Sequence, residues 1–257
     1  MAEKRGGAAM ESTSNRVVCW FSCGAASSYA AYLAKQRFKD IELVYCKVIE
    51  EHPDSLRFLA DFEKVIGQEI KIIGDAEMEY SAHRVFEKRG FIKNQYGAPC
   101  TMILKKWQRE NYQKPTDIQI FGYTVEEQHR VDRFIDSNND VTALFPLVEE
   151  NITKKDCLEW LTEKGIELPV MYKLGYQNNN CIGCVKGGMG YWNAIRVDFP
   201  EAFDKAAKLE RKLNHAINKD KEGPVFLDEL SPDRGNFKRD QPPACGFTCE
   251  WKQQELL

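Results

Sequence analysis

The 257-residue sequence predicts an α/β fold, a parallel twisted sheet with helices on both faces. Three observations predict it. Short β-prone apolar runs alternate with helical stretches between Arg16 and Phe145. A turn of small residues, Ser22 to Ser27, stands between the first strand and the first helix, where open α/β sheets place an anion-binding loop. Nothing repeats at the 20–50-residue periods of solenoids and propellers.

The elements follow in order. Residues 16–21 read as a strand, 25–35 as an Ala-rich helix and 41–48 as a second strand. Residues 54–66 read as a helix with Leu59, Phe62 and Ile66 on one face and Gly67 as its stop. Residues 69–73, 118–121 and 141–145 are further strands, with amphipathic material at 82–89 and 102–111. Beyond residue 150 the character becomes helical. Thr153 to Asp156 is a variant capping box opening a helix that stops at Gly165. Phe203, Ala206, Leu209, Leu213 and Ile217 repeat at helical spacing from Pro200. The expected organisation is therefore a disordered leader over 1–15, a nucleotide-binding α/β domain over 16–150, a helical part over 151–218 and a flexible polar tail over 219–257.

Composition narrows the function classes. Thirty-six Lys plus Arg against thirty-nine Asp plus Glu leave a net charge of −3, so no overall basic field points to a nucleic-acid or membrane surface. Anionic ligands must be met locally. The apolar run at 17–21 is too short for a signal peptide or a spanning helix, so the chain reads as cytoplasmic, with no membrane partner. Its nine cysteines are then reduced, and clustered ones serve metal binding or chemistry. Cys19, Cys46 and Cys157 sit in apolar patterns and read as core thiols.

In the first loop, Ser22, Gly24, Ala25 and Ser27 offer close backbone approach, amides at a helix start and two hydroxyls to a phosphate. A ligand-free turn of small residues reads the same way. The loop is neither G-x-G-x-x-G nor G-x-x-x-x-G-K-[ST]. Cys181-Ile182-Gly183-Cys184 is the strongest chemical signal, since two thiolates at this spacing reach one metal centre. Partners for it outside apolar patterns are Cys100, Cys245 and Cys249. Four thiolates suit a [4Fe–4S] cluster or zinc alike. Glu126 to Arg130 is either a solvated helix start or, with an anion nearby, a source of charge. Gly187 to Trp192 with Arg196 reads as a turn into a helix with Trp192 in the core, or as a second anion contact.

The loop resembles the S-G-G-x-D-S pyrophosphate loop of the adenine-nucleotide α-hydrolase-like (PP-loop) superfamily, matching at Ser22, Gly24 and Ser27, with Cys23 for a Gly and Ala26 for the Asp. Cys100 to Lys105 resembles the C-[TC]-x-x-[LYW]-K element of phosphoadenosine phosphosulfate (PAPS) reductases, and Gly122 to Arg130 resembles their G-x-x-x-x-E-S-x-x-R segment. Glu50 to Asp54 is loosely similar to a further segment of that family. The resemblance implies a PAPS reductase-like oxidoreductase of sulfur metabolism that binds PAPS, adenylyl sulfate or ATP, with Lys105, Glu127 and Arg130 at the nucleotide. Ala26 departs from the Asp tied to ATP cleavage. Ala244 to Thr248 resembles the E-C-G-[IL]-H element, which implies Cys245 as catalytic nucleophile on a mobile arm, regenerated by thioredoxin or glutaredoxin. In cluster-bearing adenylyl-sulfate reductases a C-C pair stands where Cys100-Thr101 stands here, and Cys181 lies 81 residues after Cys100, as their C-x-x-C does. The implied ligands are Cys100, Cys181, Cys184 and Cys249, with Cys245 as the alternative to Cys249. Related PP-loop enzymes imply a second function, ATP-dependent sulfur insertion into tRNA or DNA, and an inactive nucleotide-binding module is a third.

Overall fold

The computed structural model describes residues 15–247, so Cys249 and almost all of the expected leader lie outside the described residues. Two compact units emerge, each assembled from three stretches of chain: one from 15–45, 58–72 and 113–168, the other from 46–57, 73–112 and 169–247.

In chain order the first elements are β1 (Val17–Phe21), α1 (Ala25–Arg37), β2 (Glu42–Cys46), α2 (Asp54–Ile66), β3 (Ile70–Ile73) and α3 (Ala82–Arg89). There follow α4 (Pro99–Thr101), a π-helical segment (Met102–Lys106), α5 (Trp107–Tyr112), β4 (Ile118–Phe121), α6 (Gln128–Ser137), β5 (Thr142–Leu144), α7 (Pro146–Glu149) and α8 (Lys154–Glu163). Next come α9 (Val170–Lys173), α10 (Met189–Asp198), α11 (Pro200–Leu213), β6 (Asn218–Lys219) and β7 (Pro224–Val225).

The five-stranded sheet has the order β3-β2-β1-β4-β5, with β1 parallel to both β2 and β4, and β4 parallel to β5. This is the expected α/β architecture. Every side chain of β1 is buried, as for a strand covered on both faces. Phe58 and Phe62 of α2 stack on Phe21, while α1 packs on β1 and β4. The chain leaves β1 toward β2 and later returns on the other side to β4, which makes the carboxyl ends of β1 and β4 the switch point of the sheet.

The second unit is built around Phe86, Ile103, Met171, Tyr191, Trp192 and Ile195. The amphipathic stretch expected at 102–111 is no single α-helix. Its first turn widens into the π-helical segment, which closes with the Trp107 amide on the Met102 carbonyl, and α5 continues from there. The helix from Pro200 stops short of Ile217. Asn214 adopts a left-handed backbone (φ 48°) as its cap, and Ile217 is buried in the strand turn that follows. The polar stretch from 219 has contacts that composition does not announce: Asp240 receives the Gly190 and Asn236 amides on one carboxylate oxygen, both at 2.8 Å. Among the described residues no helix is long and apolar enough to cross a membrane.

Candidate active site: a phosphate loop and a cysteine-lined cavity

In the first unit, the loop 22–24 leads from β1 into α1, and Gly24 caps that helix with extended backbone. Ser27 organises the turn. Its Oγ lies 3.1 Å from the Ser22 amide and 3.1 Å from Ser22 Oγ, and donates to the Gly24 carbonyl at 3.0 Å. Cys23 is buried with φ 53°, the left-handed region that costs a side-chain-bearing residue about 1–2 kcal/mol. This is the position where the resembling loop has a Gly. Gly122, leaving β4, fits against the same turn: a Cβ there would stand 2.6 Å from Ser27 Cα and 2.7 Å from Ser27 N. No acidic residue occupies the first turn of α1, so the helix-end field is left to favour an anion.

Glu127 and Arg130 form an ion pair with each other, Glu127 also accepts from the Thr124 amide at 3.3 Å, and the Arg130 guanidinium lies 4.7 Å from the Tyr123 ring centroid. These two residues start α6 as a helix-start cluster with its charges already paired. Ala25 is buried at the first position of α1.

In the second unit, Cys100, Cys181, Cys184 and Cys245 line one cavity together with Thr101 and His83. Three separate stretches supply them. Cys100 comes from α4. Cys181 and Cys184 come from a loop fixed by the Tyr191 hydroxyl, which accepts from the Cys184 amide at 2.9 Å and donates to the Cys181 carbonyl at 3.3 Å. Gly183 (φ 70°) lies against Trp192, where a Cβ would approach the ring to 2.9 Å. Cys245 arrives from the tail and is held by Asn180, whose Oδ1 accepts from the Cys245 amide at 3.0 Å. Cys181 also bridges to Glu51 in a β-bridge, and the Ile182 amide donates to the Glu50 carbonyl at 2.8 Å.

The thiols are costly to ionise in this setting. Burial, then the neighbouring Cys245, pushes Cys100 up to about 12; burial, then Glu51, raises Cys181; and burial, then Cys245, raises Cys184. A cationic metal centre reverses that preference and deprotonates such sulfurs. Four thiols lining one cavity supply the donor chemistry that iron–sulfur and zinc centres use. Among the described residues no three His, Cys, Asp or Glu side chains are drawn around a single point as for one ion.

Lys105 has a partner that the sequence did not indicate. It is 6% exposed in the π-helical segment and bonds Glu51 Oε1 at 3.0 Å. Burial opposes its charge, but Glu51, then Cys245, Cys181 and Cys46, outweigh that and hold the ammonium well above its usual value. Lys105 therefore belongs electrostatically to the cysteine cavity. Cys46, read as a plain core thiol, is buried and feels Lys105, Glu51 and Cys245. Cys19 and Cys157 are buried, as core thiols are.

His52 uses Nδ1 to accept the Asp54 amide at 3.1 Å, a capping role at the start of α2. Trp192 is fully buried, and Arg196 donates to the Leu227 and Leu230 carbonyls at 3.1 and 2.6 Å, so the segment after the C-x-x-C packs as a helix. Sequence reasoning gave Glu51, Asn180 and Tyr191 no role of their own, though each lies in a stretch it singled out. The only signals were the Glu-Glu pair after β2 and the Asn run before Cys181.

The phosphoadenosine phosphosulfate reductase domain profile matches residues 16–187. No curated protein matches the chain. Among solved structures, the chain is similar to the U34-tRNA thiolase NcsA from Methanococcus maripaludis with its [4Fe-4S] cluster, at 16% identity and a TM-score of 0.41, over 78% of this chain and 67% of that one.

Proposed function

From the premise that the chain belongs to the phosphoadenosine phosphosulfate reductase domain family, whose members are enzymes, we propose that it binds an adenylyl sulfonucleotide and transfers or reduces its sulfur. The observation that carries this reading is the meeting of Cys100, Cys181, Cys184 and Cys245 at one cavity. Ser22, Gly24, Ala25 and Ser27 receive the nucleotide phosphate at the helix start, and the match to the family elements keeps Glu127 and Arg130 as its candidate charge partners. Cys100, Cys181 and Cys184 would hold a [4Fe–4S] cluster, with Cys249 or Cys245 as the fourth ligand and zinc as the alternative metal. The cluster supplies a polarising, redox-capable centre.

In the reductive form of this chemistry a thiolate attacks the sulfur of the sulfonucleotide. An S–S bond forms as the S–O bond to the adenylyl phosphate breaks, and the nucleotide leaves as a phosphate anion. A dithiol protein of the thioredoxin or glutaredoxin type then supplies two electrons, releasing sulfite and restoring the thiol. One sulfur cannot serve as both ligand and attacking group, and the hold of Asn180 on Cys245 supports ligation over the mobile-arm role. If Cys245 attacks, Cys249 completes the ligand set.

Anaerobically purified protein given PAPS or adenylyl sulfate with reduced thioredoxin is expected to release sulfite; a preparation that does so with neither substrate overturns the reading. Cys245→Ser separates the two roles. Loss of iron assigns it as a ligand, whereas retained iron with lost sulfite release assigns it as the nucleophile. Iron and zinc analysis of the same preparation identifies the metal.

A second reading, ATP-dependent sulfur insertion into a nucleic acid, gains support from Cys245 in the ligand role and loses it from Ala26. ATP–pyrophosphate exchange distinguishes it.

A further inference from the structure

Within the second unit, α3 and α11 border a cavity of about 390 Å³ whose charged lining is mostly basic. Arg84, Lys205, Lys208 and Lys212 face it against two carboxylates, Glu79 and Glu87. Those carboxylates are already engaged. Glu87 takes Lys212 at 2.7 Å and Arg84 at 3.6 Å, and Glu79 takes Arg84 at 3.4 Å. Lys205 and Lys208 are left with no acidic partner among the described residues.

We propose that this cavity is a binding site for a phosphate-bearing ligand, with Lys205 and Lys208 as its charge partners. The two lysines lie three residues apart on α11, so they project from one helix face with Cβ atoms about 5–6 Å apart, from which two flexible side chains can reach one phosphate group. Lysine serves here as a point charge, without the need for a planar partner. His83 adds a polar wall. Its Nδ1 is buried and has no hydrogen-bond partner among the described residues, a state that a ligand or ordered water relieves. Burial holds His83 below its usual pKa, which makes it a neutral hydrogen-bonding group and not a further cation. Leu209 and the exposed Ile49 give the cavity an apolar side, against which the organic part of a phosphate ester packs.

His83 also lines the cysteine cavity. The proposal does not depend on the sulfonucleotide reading, because it rests on lysines that play no part in that chemistry.

The test is calorimetric titration of the full chain with inorganic pyrophosphate, adenosine monophosphate and a short single-stranded oligonucleotide, on the parent and on Lys205→Gln/Lys208→Gln. Both lysines are exposed, so the double variant is expected to fold, and an unchanged Tm confirms it. Binding that weakens at least tenfold in the double variant, and weakens with added salt, is expected for at least one probe. Ser27→Ala leaves that component unchanged, which separates it from the loop in the first unit. Lysine-dependent binding of the oligonucleotide alone assigns the phosphate to a nucleic-acid backbone, and binding of the small probes assigns it to a free phosphate ester. Identical isotherms for parent and double variant, or no binding of any probe, overturn the site.

Discussion

Asn180 grips the chain at Cys245 from both sides: its Oδ1 accepts from the Cys245 amide at 3.0 Å, and its Nδ2 donates to the Pro243 carbonyl at 2.9 Å. With Asn178, whose Nδ2 donates to the Pro242 carbonyl at 3.2 Å, it gives a Pro-containing segment a defined approach to the thiol cavity. Asn180→Leu removes both bonds and leaves two backbone groups to find water. It is expected to cost about 1–3 kcal/mol and to lower the metal content of purified protein. Iron and zinc stoichiometry beside a denaturant titration checks it, and unchanged metal content with unchanged stability would refute the clamp.

Gly122 and Ser27 meet with no room between them. Since a Cβ at 122 would stand 2.6 Å from Ser27 Cα, Gly122→Ala must push backbone against backbone and deform the turn where α1 begins. The expected result is loss of nucleotide-induced thermal stabilisation, together with about 1–3 kcal/mol of destabilisation. Thermal shift with PAPS, adenylyl sulfate and ATP reads both effects. A variant that keeps the ligand shift separates the turn from the nucleotide.

The sheet was legible because its strands and helices carry local signals. The run 118–121 and the helices at 54–66 and 82–89 are observed with the limits their periodicity indicates. The box at Thr153 is observed with both reciprocal bonds. The cavity was half legible. The C-x-x-C announces itself, and Cys100 and Cys245 could be nominated by resemblance, but their meeting depends on stretches far apart in sequence. Lys105 shows why the rest was hidden. A cation after a cysteine motif gives no sign of its partner from a distant loop, Glu51. Ile217 fits the helical repeat of α11, yet the left-handed Asn214 ends the helix before it, and spacing alone carries no sign of that cap.

The Lys105–Glu51 pair is buried on both sides, with side chains 7% and 4% exposed. Removing one partner strands a charge, whereas removing both strands none. Lys105→Met and Glu51→Gln are each expected to destabilise by about 3–5 kcal/mol, and the double variant by clearly less than their sum. A double-mutant cycle by urea unfolding measures the coupling. Additive losses would show that the two side chains act independently.

Glu210 is fully buried and accepts the Ile217 and Leu227 amides, which ties α11 to the strands that follow it. Burial raises its carboxyl to about 7, against the lowering effect of those two amides. An acid raised on folding binds its proton more tightly in the folded chain than in the unfolded one. Its contribution to stability is therefore fully present below the unfolded value near 4.5 and is lost as pH rises toward about 7. Unfolding free energy is expected to fall across that window, by an amount on the order of 1–3 kcal/mol from this residue. Glu210→Gln is expected to lower stability at acidic pH, because an amide NH2 faces one of the two donors, and to flatten the slope between pH 4.5 and 7. Denaturant titrations at several pH values in that range measure it. The same slope in the variant would assign the pH dependence to other groups.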